Sequence, residues 1–227
     1  MAVIATILVV FGNAVGVAAG PNVVTISWAA IAQSAGTLLI VIVASRWCGL
    51  TWAEAGIGRT NLLRSSLIGA GMGLGLATVV LLALEAGARL GTPITYQPLR
   101  GVSISAVLTH ALVGLPLLTA IPEELAFRAL LLGVLMRKLT PLRATLVTAA
   151  IFVAWHAVVQ VQTLAATKFT SPWLIVPATG LAFAGLLVGG VIFALVRLRT
   201  RNLAAAVMAH WLFDAGLITG LFFLTHS

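Results

Sequence analysis

The chain is 227 residues long, 61% hydrophobic and only 8% charged, which excludes an ordinary water-soluble domain and describes a lipid-embedded protein. The formal charge of +8 comes from basic residues scattered between apolar blocks, so it excludes a nucleic-acid-binding face and reads as a topology signal. At about 20 apolar residues per crossing, the length holds about seven spans and leaves no room for a separate soluble domain. The expected fold is an all-α polytopic membrane bundle, a single domain over residues 1–227 with one interfacial helix.

Apolar blocks of spanning length run Met1 to Ala19, Val24 to Ala44, Leu67 to Glu85, Ile104 to Met136, Ala144 to Val161, Trp173 to Val196 and Leu203 to Leu224. The first has no Lys or Arg ahead of its apolar core, which argues against a secretory signal peptide, although Val17-Ala18-Ala19 has the small residues of a cleavage site. Between the second and third, TWAEAGIGRTNLLRSS opens with a Thr51-x-x-Glu54 capping box and mixes Trp52, Leu62 and Leu63 with arginines, the pattern of a short interfacial helix. In the third, Gly69, Gly71, Gly73 and Gly75 give two overlapping GxxxG patterns and no dinucleotide fingerprint, so they predict close helix packing. The fourth block is too long for one straight crossing. Gly114, Pro116 and Pro122 offer break points, and the part before Pro116 is expected to form a separate re-entrant or tilted piece. Thr140 before Pro141, Ser171 before Pro172, and Asn202 before Leu203 supply start signals for the last three blocks. Cys48 is the only cysteine, so no internal disulfide is possible and a buried or interfacial packing role is expected.

Alternate loops differ in basic content. One set carries Arg46, Arg59, Arg64, Arg137, Lys138, Arg143, Arg197, Arg199 and Arg201; the other carries only Arg89, Arg100 and Lys168. The positive-inside rule then predicts a cytoplasmic N-terminus and an external C-terminus.

Only five acidic residues occur. Glu54 in a loop and Glu85 at a span's end lie near water, whereas Glu123, Glu124 and Asp214 lie inside apolar blocks, where each ionisable group costs about 2.5–3.5 kcal/mol on insertion scales. Glu124 and Arg128, at i and i+4, share a helix face and form a natural pair; Glu123 points about a quarter-turn away with no such partner. His156 in FVAWH, and His210 with Asp214 in HWLFD, are further polar groups in apolar helices. Counted at about 1.5 Å per residue from the expected cytoplasmic ends, Glu123 lies roughly 20 Å deep, His156 about 18 Å, His210 about 10 Å and Asp214 about 16 Å. Three helices thus bring acid and imidazole groups to a similar layer, the way bundles build sites from facing helices. His110 and His226 match no pattern and read as packing or terminal residues.

These residues carry a resemblance. Glu123-Glu124-x-x-x-Arg128 with Phe127, Phe152-x-x-x-His156 and His210-x-x-x-Asp214, in this order on separate helices, resemble the CAAX prenyl protease and bacteriocin-processing family of intramembrane glutamic endopeptidases, related to Ras-converting enzyme. The resemblance spans Ala120 to Gly216, the motif core, with Ala129 where the family commonly has Gly and Asp214 where prenyl-protein enzymes have Asn. It implies peptide-bond hydrolysis by a water held between Glu123 and His156. His210 and Asp214 would stabilise the oxyanion, with Asp214 able to donate only when protonated and otherwise orienting His210. Glu124 and Arg128 support the site, and Phe152 packs.

Other readings use the same residues. Glu123, His156 and His210 plus water would suffice for a zinc enzyme, although no HExxH and no cysteine accompanies them; the glutamate reading needs no cofactor or metal. A non-catalytic immunity or chaperone-like membrane protein, or a proton-coupled transporter, would also keep intramembrane acids. The expected partners are the bilayer and a hydrophobic peptide or membrane-protein substrate, and the expected location is a bacterial cytoplasmic membrane.

Overall fold

A computed structural model of the chain describes residues 1–19, 26–58 and 60–226. Arg59, and the Val24 and Thr25 start of the second block, lie outside the described residues. The helices are α1 (Ala2–Ala19), α2 (Trp28–Trp47), α3 (Trp52–Ala55) and α4 (Leu62–Arg89), then α5, one helical run over Ile104–Leu135, followed by α6 (Pro141–Trp155), α7 (Ala157–Ala165), α8 (Ile175–Thr200) and α9 (Leu203–His226). Six of these are long and apolar enough to cross a membrane among the described residues, or seven with α6 and α7, bent by 50°, counted as one span. The protein is an all-α, multi-pass membrane bundle. One element was not foreseen: β1 (Ile94–Tyr96) and β2 (Thr167–Phe169) pair antiparallel, with Thr95 opposite Lys168.

Local chemistry sets the helix starts. Ser27 Oγ accepts the Ala30 amide, Thr140 Oγ1 accepts that of Arg143 ahead of Pro141, and Asn202 Oδ1 accepts that of Ala204. Ser171 makes no such bond, and Pro172 opens a 3₁₀ turn that leads into α8. Of the two GxxxG patterns, Gly69 and Gly73 lie so close to the Ala205 and Ala209 backbone of α9 that a β-carbon on either would collide with it. Gly71 and Gly75 face open space. One stripe of small residues therefore docks α4 on α9, the expected use of such a pattern in lipid.

The fourth block departs from expectation. No separate piece precedes Pro116; the chain stays helical from 104 to 135 by widening into π-turns over His110–Ala120 and Leu125–Leu131. In such turns an amide reaches the carbonyl five residues back, as Ile121 N–H does to Pro116 O. Pro116 and Pro122 have no N–H to offer Ala111 and Leu117. Side chains of two neighbouring helices substitute. Trp211 Nε1 of α9 donates to Ala111 O at 2.7 Å, and Ser34 Oγ of α2 donates to Leu117 O at 3.3 Å. The prolines thus anchor α5 to its neighbours where a break would have exposed carbonyls to lipid.

At the basic end of the bundle, the α3 segment is clasped. Thr51 and Glu54 form the complete capping box. Arg137, just beyond α5, grips both Glu54 carboxylate oxygens at 2.7 and 2.8 Å and donates to the Cys48 and Gly49 carbonyls that end α2. Arg197 of α8 donates to Glu54 O, and Asn202 Nδ2 to Gly58 O at 3.0 Å. Cys48 is half-buried and packs against the core of α1, α2, α5 and α6.

Two measurements probe this architecture. Trp211→Phe should lower the unfolding free energy in bicelles by about 1 kcal/mol, because it strips Ala111 O of its donor; steric-trapping titration reads the loss. The second concerns pH. Arg137, then the Thr51 amide and hydroxyl, hold the Glu54 carboxyl down at about 2 from an ordinary 4.5. A carboxylate with a depressed folded pKa stabilises the fold above its unfolded value and loses that contribution as pH falls toward the folded one. The thermal midpoint of the native protein should therefore fall more steeply between pH 4.5 and 2 than that of Glu54→Gln.

Candidate active site

The π-widened middle of α5 carries Glu123 and Glu124 on a four-residue α-helical turn, Ile121–Glu124, between two wide segments. Both carboxylates are buried, as is Arg128. A guanidinium with no solvent contact needs its charge matched, and among the described residues two of the three Arg128 nitrogens find acceptors while Nε has none. Arg128 Nη1 donates to Glu124 Oε1 at 2.9 Å and Nη2 to Gly190 O of α8 at 3.3 Å. Its flat face lies over Phe152 at 4.4 Å and near Phe193 at 5.5 Å, adding cation–π attraction that lipid does not screen. Phe152 packs here, between Arg128 and the His156 ring, whose centre lies 4.3 Å away.

His210, from α9, meets this pair from the other side. Its Nδ1 stands 2.8 Å from the same Glu124 Oε1, and its Nε2 stands 3.2 Å from Asp214 Oδ2 and 4.0 Å from Glu123 Oε2. The ring stacks on Phe193 at 5.2 Å. Glu124 is therefore shared between Arg128 and His210, two cationic or donor groups on one carboxylate. The sequence pattern paired Glu124 with Arg128 and gave no sign of the bond to His210. Phe193 and Gly190 were also missed; an apolar ring and a glycine in an apolar helix carry no distinguishing signal.

Glu123 reaches toward the end of α6. His156 Nε2 lies 3.4 Å from Glu123 Oε2. The other ring nitrogen, Nδ1, is 2.9 Å from Phe152 O, a carbonyl that can only accept. That contact fixes a proton on Nδ1, so that in the neutral ring the Nε2 lone pair is directed at Glu123. His156 and Asp214 are partly exposed, while Glu123, Glu124 and His210 are buried, so the cluster has an open side at His156 and Asp214. His110 joins none of these bonds, and its Nδ1 is buried with no hydrogen-bond partner among the described residues; His226 contacts Phe222 O of its own helix.

All the residues singled out from the sequence, Glu123, Glu124, Arg128, Phe152, His156, His210 and Asp214, thus stand in one cluster drawn from α5, α6 and α9. As for a zinc set of Glu123, His156 and His210, no three His, Cys, Asp or Glu side chains among the described residues are arranged to hold a metal ion. His210 explains part of this. Its Nδ1 faces Glu124 at 2.8 Å and its Nε2 faces Asp214 at 3.2 Å, so both ring nitrogens are already turned toward carboxylates.

The arrangement has one carboxylate with a free oxygen, one imidazole nitrogen with a lone pair, and a second imidazole held rigidly a few ångströms away. Two acceptors converging on one point can polarise a small hydroxylic molecule, and the third group can stabilise developing negative charge. Residues 105–216 match the family model described as type II CAAX prenyl endopeptidase, Rce1-like. No curated protein and no solved structure matches the chain.

The shared carboxylate gives a stability test. Arg128→Leu leaves Glu124 buried with only His210 as partner and should cost about 3–5 kcal/mol, the range for breaking a buried pair from one side. Adding Glu124→Gln removes the stranded charge, so the double variant should recover at least half of that loss when unfolding is titrated in bicelles.

Proposed function

The chain belongs, through residues 105–216, to the Rce1-like family of type II CAAX prenyl endopeptidases, and from that premise we propose that it hydrolyses a peptide bond within the membrane using Glu123 and His156. The observation that supports this reading is the 3.4 Å approach of Glu123 Oε2 to the lone-pair nitrogen of His156. A water molecule donating one hydrogen to each acceptor is held between them, with its oxygen lone pair turned toward substrate.

As that oxygen attacks the scissile carbonyl, Glu123 takes a proton and the carbonyl π-electrons move onto oxygen. His210 stands on the oxyanion side. With Nδ1 committed to Glu124 and Nε2 shared between Asp214 and the pocket, it acts as a charged donor, and one such donor contributes roughly 100- to 1000-fold in rate. Asp214 orients this ring, so a carboxylate there serves without itself donating. Collapse of the tetrahedral intermediate breaks the C–N bond, and Glu123 returns its proton to the leaving amine. Arg128 neutralises Glu124 and keeps His210 in register.

The substrate reaches the site from the bilayer: a peptide or membrane protein with a hydrophobic segment. The end carrying Arg137, Arg143, Arg197, Arg199 and Arg201 faces the cytoplasm under this reading, with the N-terminus on the same side.

Glu123→Gln preserves shape and removes the base. It should lower kcat on a quenched-fluorescent farnesylated CAAX peptide by about 100-fold or more, and His156→Ala by a comparable factor. Comparing membrane proteomes of cells carrying the native and Glu123→Gln proteins should reveal an accumulating uncut precursor. Full biological activity in a folded Glu123→Gln protein would instead favour a chaperone-like or immunity role.

A further inference from the structure

His156 sits at a break. It ends α6, and the axis turns by 50° into α7. A straight helix would pair the Val158 amide with the Ala154 carbonyl, four residues back. At this bend the two groups part, and lipid offers neither a replacement partner. Asn13 of α1 occupies the gap. Its Oδ1 accepts the Val158 amide at 2.9 Å, and its Nδ2 donates to Ala154 O at 2.8 Å and to Val9 O of its own helix at 2.8 Å. Only one orientation of the carboxamide fits, since an oxygen meets the N–H and a nitrogen meets both carbonyls.

Neighbouring residues make the approach possible. A β-carbon on Gly12 would collide with the Trp155 ring, and Gly16 lies against Val158 and Val159. Gln162 Nε2 of α7 donates to Gly16 O at 3.0 Å, so α1 grips both sides of the bend. Asn13 is the one carboxamide of α1, bonds to none of the reacting groups, and lies outside the family-matched segment.

We propose that Asn13 is a positioning residue: its carboxamide takes the place of the missing Val158-to-Ala154 bond, fixes the bend, and so sets the His156 ring against Glu123. The bend matters because His156 Nδ1 is tied to Phe152 O in the last turn of α6. If α6 continued straight through residue 156, Ala154 O would return to Val158 and the ring would be carried by a continuous helix packed differently against α5.

The kinetic part of this inference rests on the proposed hydrolysis; the geometric part does not. In a Cys48→Ala background, nitroxides at the exposed positions Arg143 and Ala165 report the α6–α7 span by double electron–electron resonance. Straightening a 50° bend over this length, at about 1.5 Å per residue, lengthens it by about 3 Å. Asn13→Leu and Asn13→Ala should show that lengthening or a broadened distribution. Asn13→Asp, whose protonated carboxyl can accept from Val158 and donate to Ala154, should keep the native distance. On the farnesylated peptide, Asn13→Leu should lose about 10- to 100-fold in kcat with KM within about threefold, and Asn13→Asp should restore most of it.

An unchanged distance in both Leu and Ala variants overturns the proposal, whatever happens to activity. A lengthened distance with unchanged kcat shows that Asn13 shapes the helix without positioning the reaction, and overturns it equally. If the native protein cuts no peptide, the hydrolytic reading fails, and the distance measurement alone decides whether Asn13 sets the bend. Should Asn13→Leu fail to fold, Asn13→Ala reads both quantities.

Discussion

In hydrocarbon no solvent molecule rescues a carbonyl without a donor or a carboxylate without a cation, and the structure follows from that constraint. Two prolines in α5 each free a carbonyl, and Trp211 and Ser34 from neighbouring helices pair them. The break at His156 frees another carbonyl and an amide, and Asn13 pairs both. At each of these three places, a failure of backbone regularity is where one helix is pinned to another. The irregularities that a polar site requires are also what fixes the helices around it.

The side-chain charges obey the same rule. Glu124 is matched twice, by Arg128 and His210, which turns three expensive groups into a rigid scaffold. Glu123, one residue away, makes no ion pair with a guanidinium, and among the described residues its Oε2 has no hydrogen-bond partner, with His156 Nε2 facing it at 3.4 Å. Adjacent glutamates thus take opposite parts. One holds imidazole and guanidinium in place through its Oε1, and the other faces His156 and is kept available for chemistry. The aromatic residues Phe152 and Phe193 complete the scaffold by covering the guanidinium and the His210 ring, which keeps lipid and bulk water from the shared carboxylate.

Much of this was readable in the residues. Hydropathy located the spans to within a few residues, because lipid exposure imposes a strong and simple pattern on α1, α4, α8 and α9. Rare ionisable groups in oily helices marked the cluster members, since each must be justified by a partner. What could not be read were the contacts that depend on three-dimensional approach. Proline in α5 signalled a break, yet a π-turn with borrowed donors served instead, and nothing in the local sequence distinguishes Trp211 or Ser34 as those donors. Four alternating glycines looked equivalent, but only Gly69 and Gly73 face α9. Asn13 carried no motif, and the partners that give it a role lie more than 140 positions away.

The central claim is that Glu123 and His156, from different helices, act on one water molecule as a unit. A double-mutant cycle on kcat tests it most directly. Groups that share one task lose that task once, so Glu123→Gln combined with His156→Ala should be scarcely slower than the slower single variant. Losses that multiply, with the double variant reduced by the product of the two single factors, would show two independent contributions and contradict the account.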